Sequence, residues 1–93
     1  MIANIGYLYR IFTEDVNRER VQGIVGNYFE AFTLLTGRGV WRGNGENSLV
    51  IEIVADGNID DMINQLSSDI RRENHQECVL VQKLANNNWL VNA

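Results

Sequence analysis

The sequence predicts an α+β protein with the ferredoxin-like order β-α-β-β-α-β, in which an antiparallel sheet carries two helices on one face. A possible extra strand follows at the C-terminus, and one domain is expected over residues 1–93. Two strand–helix–strand halves of similar length follow one another, joined by a Gly-Asn-Gly turn signal. The apolar content of 45% and charged content of 22% are ordinary for a globular chain and argue against disorder.

The first half begins with a run of aromatic and β-branched residues, Ile5 to Thr13, which predicts a strand. One face of this strand carries Tyr7, Tyr9 and Ile11, and the other face carries Leu8, Arg10 and Phe12. Apolar residues then recur with helical spacing from Val21 to Leu35, which predicts an amphipathic helix of about five turns. Gly37 is expected to end this helix in a left-handed conformation.

The second half begins with a short strand predicted over Arg38–Arg42, a turn over residues 43–45, and a strand over Ser48–Ala55. A second helix is expected after Asp56 or Asn58, either of which could cap it. A fourth strand is expected over residues 78–84, a polar turn over 86–88, and a short strand or pairing tail over 89–91.

Composition excludes several classes of function. No apolar run is long enough to span a membrane and the N-terminus lacks a signal-peptide pattern, so a cytoplasmic location is expected. One cysteine and one histidine give neither a disulfide nor an obvious metal set, and no cofactor is predicted. The net charge of −4 argues against generic nucleic-acid binding.

The stretch from Thr36 to Glu52 is the strongest candidate for a functional surface, because it holds four of the eight glycines beside Arg38, Trp41 and Arg42. Guanidinium groups bind carboxylates and phosphates, and an indole ring stacks on other rings. We therefore expect these three side chains, in the hairpin of residues 36–46, to hold a protein partner or an anionic small molecule. The alternative is an edge strand with solvated arginines and a core tryptophan.

This stretch also resembles an uncharacterised family of small bacterial domains that carry a G-x-W-R segment and a later Q-E-S-V-L-type strand. The matching residues are Gly39, Trp41 and Arg42, and then Gln76, Glu77, Val79 and Leu80. The chain departs from the family in its shorter hairpin and in Cys78, where a serine is usual. The resemblance implies a fold and no activity.

Both faces of the first and third predicted strands are apolar, although two helices on one side cover only one face. Leu8, Phe12, Val50 and Val54 belong to the second row of these strands. An exposed apolar sheet face normally marks an interface, so we expect a homodimer that uses these four residues.

Two further residue sets have chemical and structural interpretations. His75 and Cys78 could form a thiolate nucleophile, but a surface histidine and a buried structural thiol are the preferred explanation. Acidic residues could act in acid–base chemistry, but they stand where helix starts are predicted and capping accounts for them. They are Glu14, Asp15, Asp56, Asp60 and Asp61.

Three functions follow in order of preference. The first is a non-enzymatic binding or regulatory module that uses the hairpin. The second is a cofactor-free enzyme with a pocket between sheet and helices, using His75 together with tyrosine or arginine groups. The third is single-stranded RNA binding on the sheet face, with Tyr7, Tyr9 and Trp41 as stacking platforms.

Overall fold

A computed structural model describes residues 4–92 of the chain. Six elements follow in order: β1 (Asn4–Glu14), α1 (Arg18–Gly26), β2 (Thr33–Trp41), β3 (Asn44–Ala55), α2 (Asp60–Glu73) and β4 (Leu80–Asn88). The strands form one antiparallel sheet in the order β2-β3-β1-β4. This arrangement confirms the predicted ferredoxin-like α+β fold.

The core lies between the two helices and one face of the sheet. On this face, Tyr9 and Ile11 of β1 lie beside Ile51 and Ile53 of β3. Among the residues whose burial the structure describes, ten apolar side chains are fully buried: Tyr9, Ile11, Val21, Val25, Leu49, Ile51, Ile53, Ile63, Leu66 and Ile70. Burial of this size contributes the main favourable free energy of folding.

The opposite face of the sheet is not covered by either helix. It carries the four residues predicted for an interface, Leu8, Phe12, Val50 and Val54. Leu35, Leu80 and Leu84 lie on the same face, because they pair with Val50, Phe12 and Leu8 respectively. Arg10 donates to Glu52 at 2.7 Å, so an ion pair separates two apolar rows.

The first helix is shorter than predicted. It ends at Gly26, and Leu35 and Gly37 lie in β2, so the expected five turns and the cap at Gly37 were wrong. Gly23 and Gly26 weaken the helix, and the threonine-flanked run that begins at Thr33 favours a strand. The helical spacing of the last two apolar residues was therefore coincidental.

The β2–β3 hairpin turns one residue earlier than predicted. Arg42 and Gly43 both have positive φ, at 51° and 81°, and they connect the paired residues Trp41 and Asn44. This pattern is a two-residue turn whose twist matches that of the flanking strands. Arg42 therefore belongs to the turn, and Asn44 and Gly45 belong to β3.

The last strand runs further than predicted. Asn86, Asn87 and Asn88 pair with the start of β1 and are not a turn, while residues 89–91 form no strand. Cys78 precedes β4 and is exposed, so the expectation of a buried thiol was wrong. None of the helices within residues 4–92 is long and apolar enough to cross a membrane.

The N-terminal end of α2 is held by a group that we call the clamp, formed by Tyr9, Asp60 and Lys83. The Tyr9 hydroxyl donates to Asp60 Oδ1 at 2.6 Å, and Lys83 Nζ lies 3.0 Å from the same oxygen. Hydrogen bonding from Tyr9 and Lys83 lowers the pKa of Asp60, and Asp60 raises the pKa of Lys83. Ile59 occupies the N-cap position of α2, so neither Asp56 nor Asn58 caps the helix as predicted. Asn58 still contributes, because its Oδ1 accepts a hydrogen bond from the Asp60 amide.

The C-terminal end of α2 closes in a left-handed turn at His75, whose φ is 53°. The His75 amide donates to the Arg72 carbonyl at 3.2 Å, and the Gln76 amide donates to the Arg71 carbonyl at 3.0 Å. These two bonds are those of a Schellman motif, in which glycine is the usual left-handed residue. The motif directs the following chain back along the end of β1.

Candidate functional site

A cleft of about 390 Å³ opens at the end of the sheet where α2 finishes. Three segments form it: the end of β1, the part of the β2–β3 hairpin that projects past β1, and the connection from α2 to β4. Its lining residues are Phe12, Thr13, Glu14, Gly39, Val40, Trp41, Glu46, Ser48, His75, Gln76, Glu77, Cys78 and Leu80. The hairpin projects because β1 stops at Glu14, opposite Ser48, whereas β3 begins at Asn44.

Two carboxyl groups meet inside this cleft. Glu14 ends β1, and Glu46 lies on the projecting part of β3, where its carboxyl group lies beside that of Glu14. Burial, and then the charge of Glu14, raise the pKa of Glu46 above its ordinary value of 4.5. Within residues 4–92, neither carboxylate forms an ion pair.

The charge of the cleft favours cations. Among its described lining residues there are three glutamates and no lysine or arginine. Glu77 has a distant partner in Arg42, at 3.7 Å, and both side chains are largely exposed. A positive group placed between Glu14 and Glu46 would relieve their repulsion, whereas a phosphate would increase it.

The three residues predicted for ligand binding take different positions. Trp41 lines the cleft with its ring half-exposed, and the guanidinium of Arg42 lies 5.4 Å from the ring centre. Arg38 lies outside the cleft and donates to Asn47 Oδ1 at 3.2 Å. Arg38 and Arg42 therefore do not converge on one anion, and only Trp41 of the three lines the cleft.

His75 and Cys78 both line the cleft, on the connection between α2 and β4. The backbone of His75 has a structural task, because it provides the left-handed turn that ends α2. Across residues 4–92, no three histidine, cysteine, aspartate or glutamate side chains converge in a way that could hold a metal ion.

The aromatic residues proposed for RNA stacking do not share an open face. Tyr9 is 1% exposed and points to the helices, and Tyr7 lies on the same covered side. Trp41 pairs with Asn44 at the far end of the hairpin, away from both tyrosines. The described part of the sheet therefore lacks the stacking platform that this hypothesis required.

Glu14, Glu46 and Gln76 are cleft residues to which the sequence assigned no ligand-binding role. Glu14 was interpreted as a helix-start acid, but it is the last residue of β1. Gln76 stood out only within the Q-E-S-V-L-type resemblance. No sequence pattern pointed to Glu46 as a binding residue. Its partner in the cleft, Glu14, is far away in the sequence, at the end of β1.

The fold is similar to that of several solved structures. A phage SAM lyase in complex with S-methyl-5′-thioadenosine has a TM-score of 0.71 and 19% identity, over 91% of this chain and 84% of the lyase. CPII, a nitrogen regulatory PII-like protein from Thiomonas intermedia K12 bound to ADP, AMP and bicarbonate, has a TM-score of 0.69 and 9% identity, over 98% and 100%. A DUF3240 family protein from Shewanella baltica OS155 has a TM-score of 0.66 and 11% identity, over 92% and 97%.

At these identities the likeness shows the fold alone. No protein-family model matches the chain, and no curated protein matches it either. The DUF3240 neighbour agrees with the expectation of an uncharacterised small domain, and the G-x-W-R motif stays a prediction.

Proposed function

We propose that the chain is a small binding module whose cleft holds an adenosine-based ligand that carries a positive charge. Two of the fold neighbours were solved with adenosine compounds, S-methyl-5′-thioadenosine in one and ADP with AMP in the other. The fold is thus compatible with this ligand class. The acidic lining of the cleft then favours a sulfonium such as S-adenosylmethionine (SAM) over a nucleotide with phosphates.

The neighbouring carboxyl groups of Glu14 and Glu46 carry this proposal. Burial, and then the charge of the neighbouring Glu14, raise the pKa of Glu46, so its ionised form is disfavoured in the cleft. A bound sulfonium or ammonium group supplies the missing counter-charge. The anionic ligand expected from Arg38 and Arg42 finds no such complement, because Arg38 lies outside the cleft and Arg42 pairs with Glu77.

Trp41 supplies a surface for the adenine ring. Its indole is half-exposed and lines the wall of the cleft that the hairpin forms. Stacking of a base on an aromatic side chain contributes about 1–3 kcal/mol. The cleft thus offers one aromatic plane for the base and one acidic pair for the charged sulfur.

Calorimetric titration with SAM at neutral pH tests the proposal. The wild-type chain is expected to bind, and Glu46→Gln is expected to weaken binding about tenfold or more, because it removes one charge from the pair. Glu30→Gln is the matched control, since Glu30 is exposed and outside the cleft. Equal affinities of the wild type and Glu46→Gln would contradict a role of the acidic pair in binding SAM.

Cleavage of the ligand is a second candidate function. The observation in its favour is a pair of carboxyl groups of which one has a raised pKa, since such pairs are common in acid–base catalysis. Breaking the bond between sulfur and the methionine-derived chain places the electron pair on sulfur and leaves a neutral thioether, while the ligand's own carboxylate oxygen bonds to the released carbon and closes a lactone. Incubation with SAM should release S-methyl-5′-thioadenosine if this is correct, and Glu46→Gln should abolish the release. Binding of SAM without release of S-methyl-5′-thioadenosine would contradict cleavage and favour the binding module.

We also propose that the uncovered sheet face forms a homodimer, with Leu8, Phe12, Val50 and Val54 at its centre. The face is apolar on both sides of the Arg10–Glu52 pair, and this pair could meet its own copy with opposite charges facing. Such a pattern is self-complementary, as a two-fold interface requires. The expected cytoplasmic location stays a prediction.

Molecular mass in solution tests the dimer, with Val54→Lys and Val16→Lys as the matched pair. Val54 is 58% exposed on the sheet face, and Val16 is 56% exposed just before α1. Val54→Lys should shift the chain to the monomer mass, and Val16→Lys should not. A wild type that is monomeric at high concentration would contradict the interface.

A further inference from the structure

We infer that the side-chain amide of Gln76 recognises a hydrogen-bond acceptor on the edge of the ligand's base. This inference rests on the proposed adenosine ligand and names the residue that would select the base. Gln76 lines the cleft on the α2–β4 connection, across from the hairpin that carries Trp41. One wall therefore offers a stacking surface and the other a polar group.

The main chain of Gln76 is held on both sides by α2. Its amide donates to the Arg71 carbonyl at 3.0 Å, and its carbonyl accepts from Arg71 Nη1 at 3.3 Å. Neither main-chain group is then left for a ligand. The position of the side chain follows from the Schellman motif, so Gln76 is presented to the cleft by a fixed backbone.

The side-chain oxygen of Gln76 is also taken. The Thr13 hydroxyl donates to Gln76 Oε1, and Asn74 Nδ2 lies 3.4 Å from the same atom. Asn74 Nδ2 also donates to Thr13 Oγ1 at 3.2 Å, which directs the hydroxyl proton towards Gln76. Thr13 and Asn74 are buried, and these donors fix which end of the amide faces the protein.

The remaining polar atom of Gln76 is Nε2, with two N–H groups. Within residues 4–92 it donates to no protein acceptor, although every other polar group of this residue is engaged. An amide oriented by two buried donors, with its nitrogen unpaired beside a cleft, suits a ligand acceptor. Adenine offers such acceptors at N1, N3 and N7, and all three are available to a planar donor at the ring edge.

Gln76→Glu removes the donor and preserves the rest. A carboxylate accepts from Thr13 and Asn74 as the amide oxygen does, so the fold should be retained. Because the substitution also adds negative charge, the probe is the uncharged S-methyl-5′-thioadenosine and its 1-deaza, 3-deaza and 7-deaza analogues. Gln82→Glu is the matched control, since Gln82 lies on β4 and does not line the cleft.

The wild type is expected to bind one deaza analogue about tenfold more weakly than the parent compound. Gln76→Glu should lose this discrimination, and Gln82→Glu should keep it. Thr13→Val, which frees the amide to rotate, should reduce the discrimination partly. Unchanged discrimination in Gln76→Glu, or none in the wild type, overturns the role of Gln76 while the proposed function stands. A wild type that binds no adenosine compound overturns both.

Discussion

Asp60 meets a tyrosine and a lysine where α2 begins, whereas Glu14 meets a second glutamate where α2 finishes. In the clamp, the partners lower the pKa of Asp60 and raise that of Lys83, so both charged forms are favoured. In the cleft, burial and a like charge raise the pKa of Glu46, so its charged form is disfavoured. The same sheet therefore carries one satisfied and one unsatisfied acidic site.

This difference separates structural acids from ligand-binding acids. Each carboxylate of a folded chain needs a counter-charge, hydrogen-bond donors or water. Asp60 finds its partners inside the chain and ties α2 to β1 and β4. Among residues 4–92, Glu14 and Glu46 have no positively charged partner, and they line a cleft that is open to a ligand. Substitutions at the two ends should therefore affect different properties.

Gly6→Ala should give the largest effect, a loss of about 3 kcal/mol in the free energy of unfolding. A Cβ atom at Gly6 would lie 2.2 Å from the Ala55 carbonyl oxygen, and backbone atoms cannot move aside easily. Gly37→Ala is the control, because nothing lies within 4 Å of its Cβ position. Urea denaturation measures both, and equal midpoints would contradict the close approach of β1 and β3.

Tyr9→Phe should cost about 2 kcal/mol, because it removes a hydrogen bond to a charged acceptor. The substitution breaks the clamp and leaves the cleft intact, so affinity for SAM should not change. Tyr7→Phe is the control, since Tyr9 and not Tyr7 donates to Asp60. Thermal denaturation and calorimetric titration of the same samples measure stability and binding separately. A loss of both in Tyr9→Phe would contradict the claim that the clamp serves stability alone.

His75→Gly should stabilise the chain by about 1 kcal/mol, since glycine adopts positive φ without the steric cost that a side chain brings. The change is in the cleft wall, yet it leaves the Schellman bonds in place. Binding of SAM should persist if His75 serves the backbone. Loss of binding with unchanged folding would instead restore the histidine as a ligand-binding or catalytic residue.

Asp60→Asn should lower the melting temperature at pH 7, by less than Tyr9→Phe does. Because the folded chain lowers the pKa of Asp60, its stabilisation is present above the ordinary value of 3.8. It is lost as the pH falls through the lowered pKa of the folded state. The difference between wild type and variant should therefore narrow below about pH 3.8. A difference that does not depend on pH would exclude the charge as its cause.

Glu46→Gln should have the smallest effect and the opposite sign, a slight rise in melting temperature at pH 7. The folded chain raises the pKa of Glu46, so its ionised form opposes folding, and protonation at lower pH relieves the repulsion. The gain from glutamine should shrink as the pH falls towards 4.5, the ordinary value. A lower melting temperature at neutral pH would mean that Glu46 has a partner of its own.

Much of the fold could be predicted because its strongest patterns are local. The alternation in β1 and β3 and the helical spacing of α2 each reflect one buried face. The length of α1 could not be predicted in the same way. Phe32 continues the helical spacing by chance, and only the pairing of β2 with β3 shows that a strand begins at Thr33.

The cleft was harder to predict, because it is formed by residues far apart in sequence. Glu46 reaches Glu14 only because β3 pairs with β1 in a register that sets Ser48 opposite Glu14. Arg38 and Arg42 are near one another in the sequence, yet Arg42 is itself a turn residue at positive φ and contacts Glu77, whereas Arg38 contacts Asn47. Of the three residues predicted for ligand binding, only Trp41 lies in the wall of the cleft in the structure.

The most direct measurement compares the affinities of SAM, S-adenosylhomocysteine and ADP for the wild-type chain at neutral pH. The first two differ by one methyl group and the positive charge on sulfur, and the third carries phosphates. SAM is expected to bind about tenfold more tightly than the thioether S-adenosylhomocysteine, and ADP is expected to bind more weakly than both. Affinity for ADP equal to or above that for SAM would contradict a cleft built for a cation.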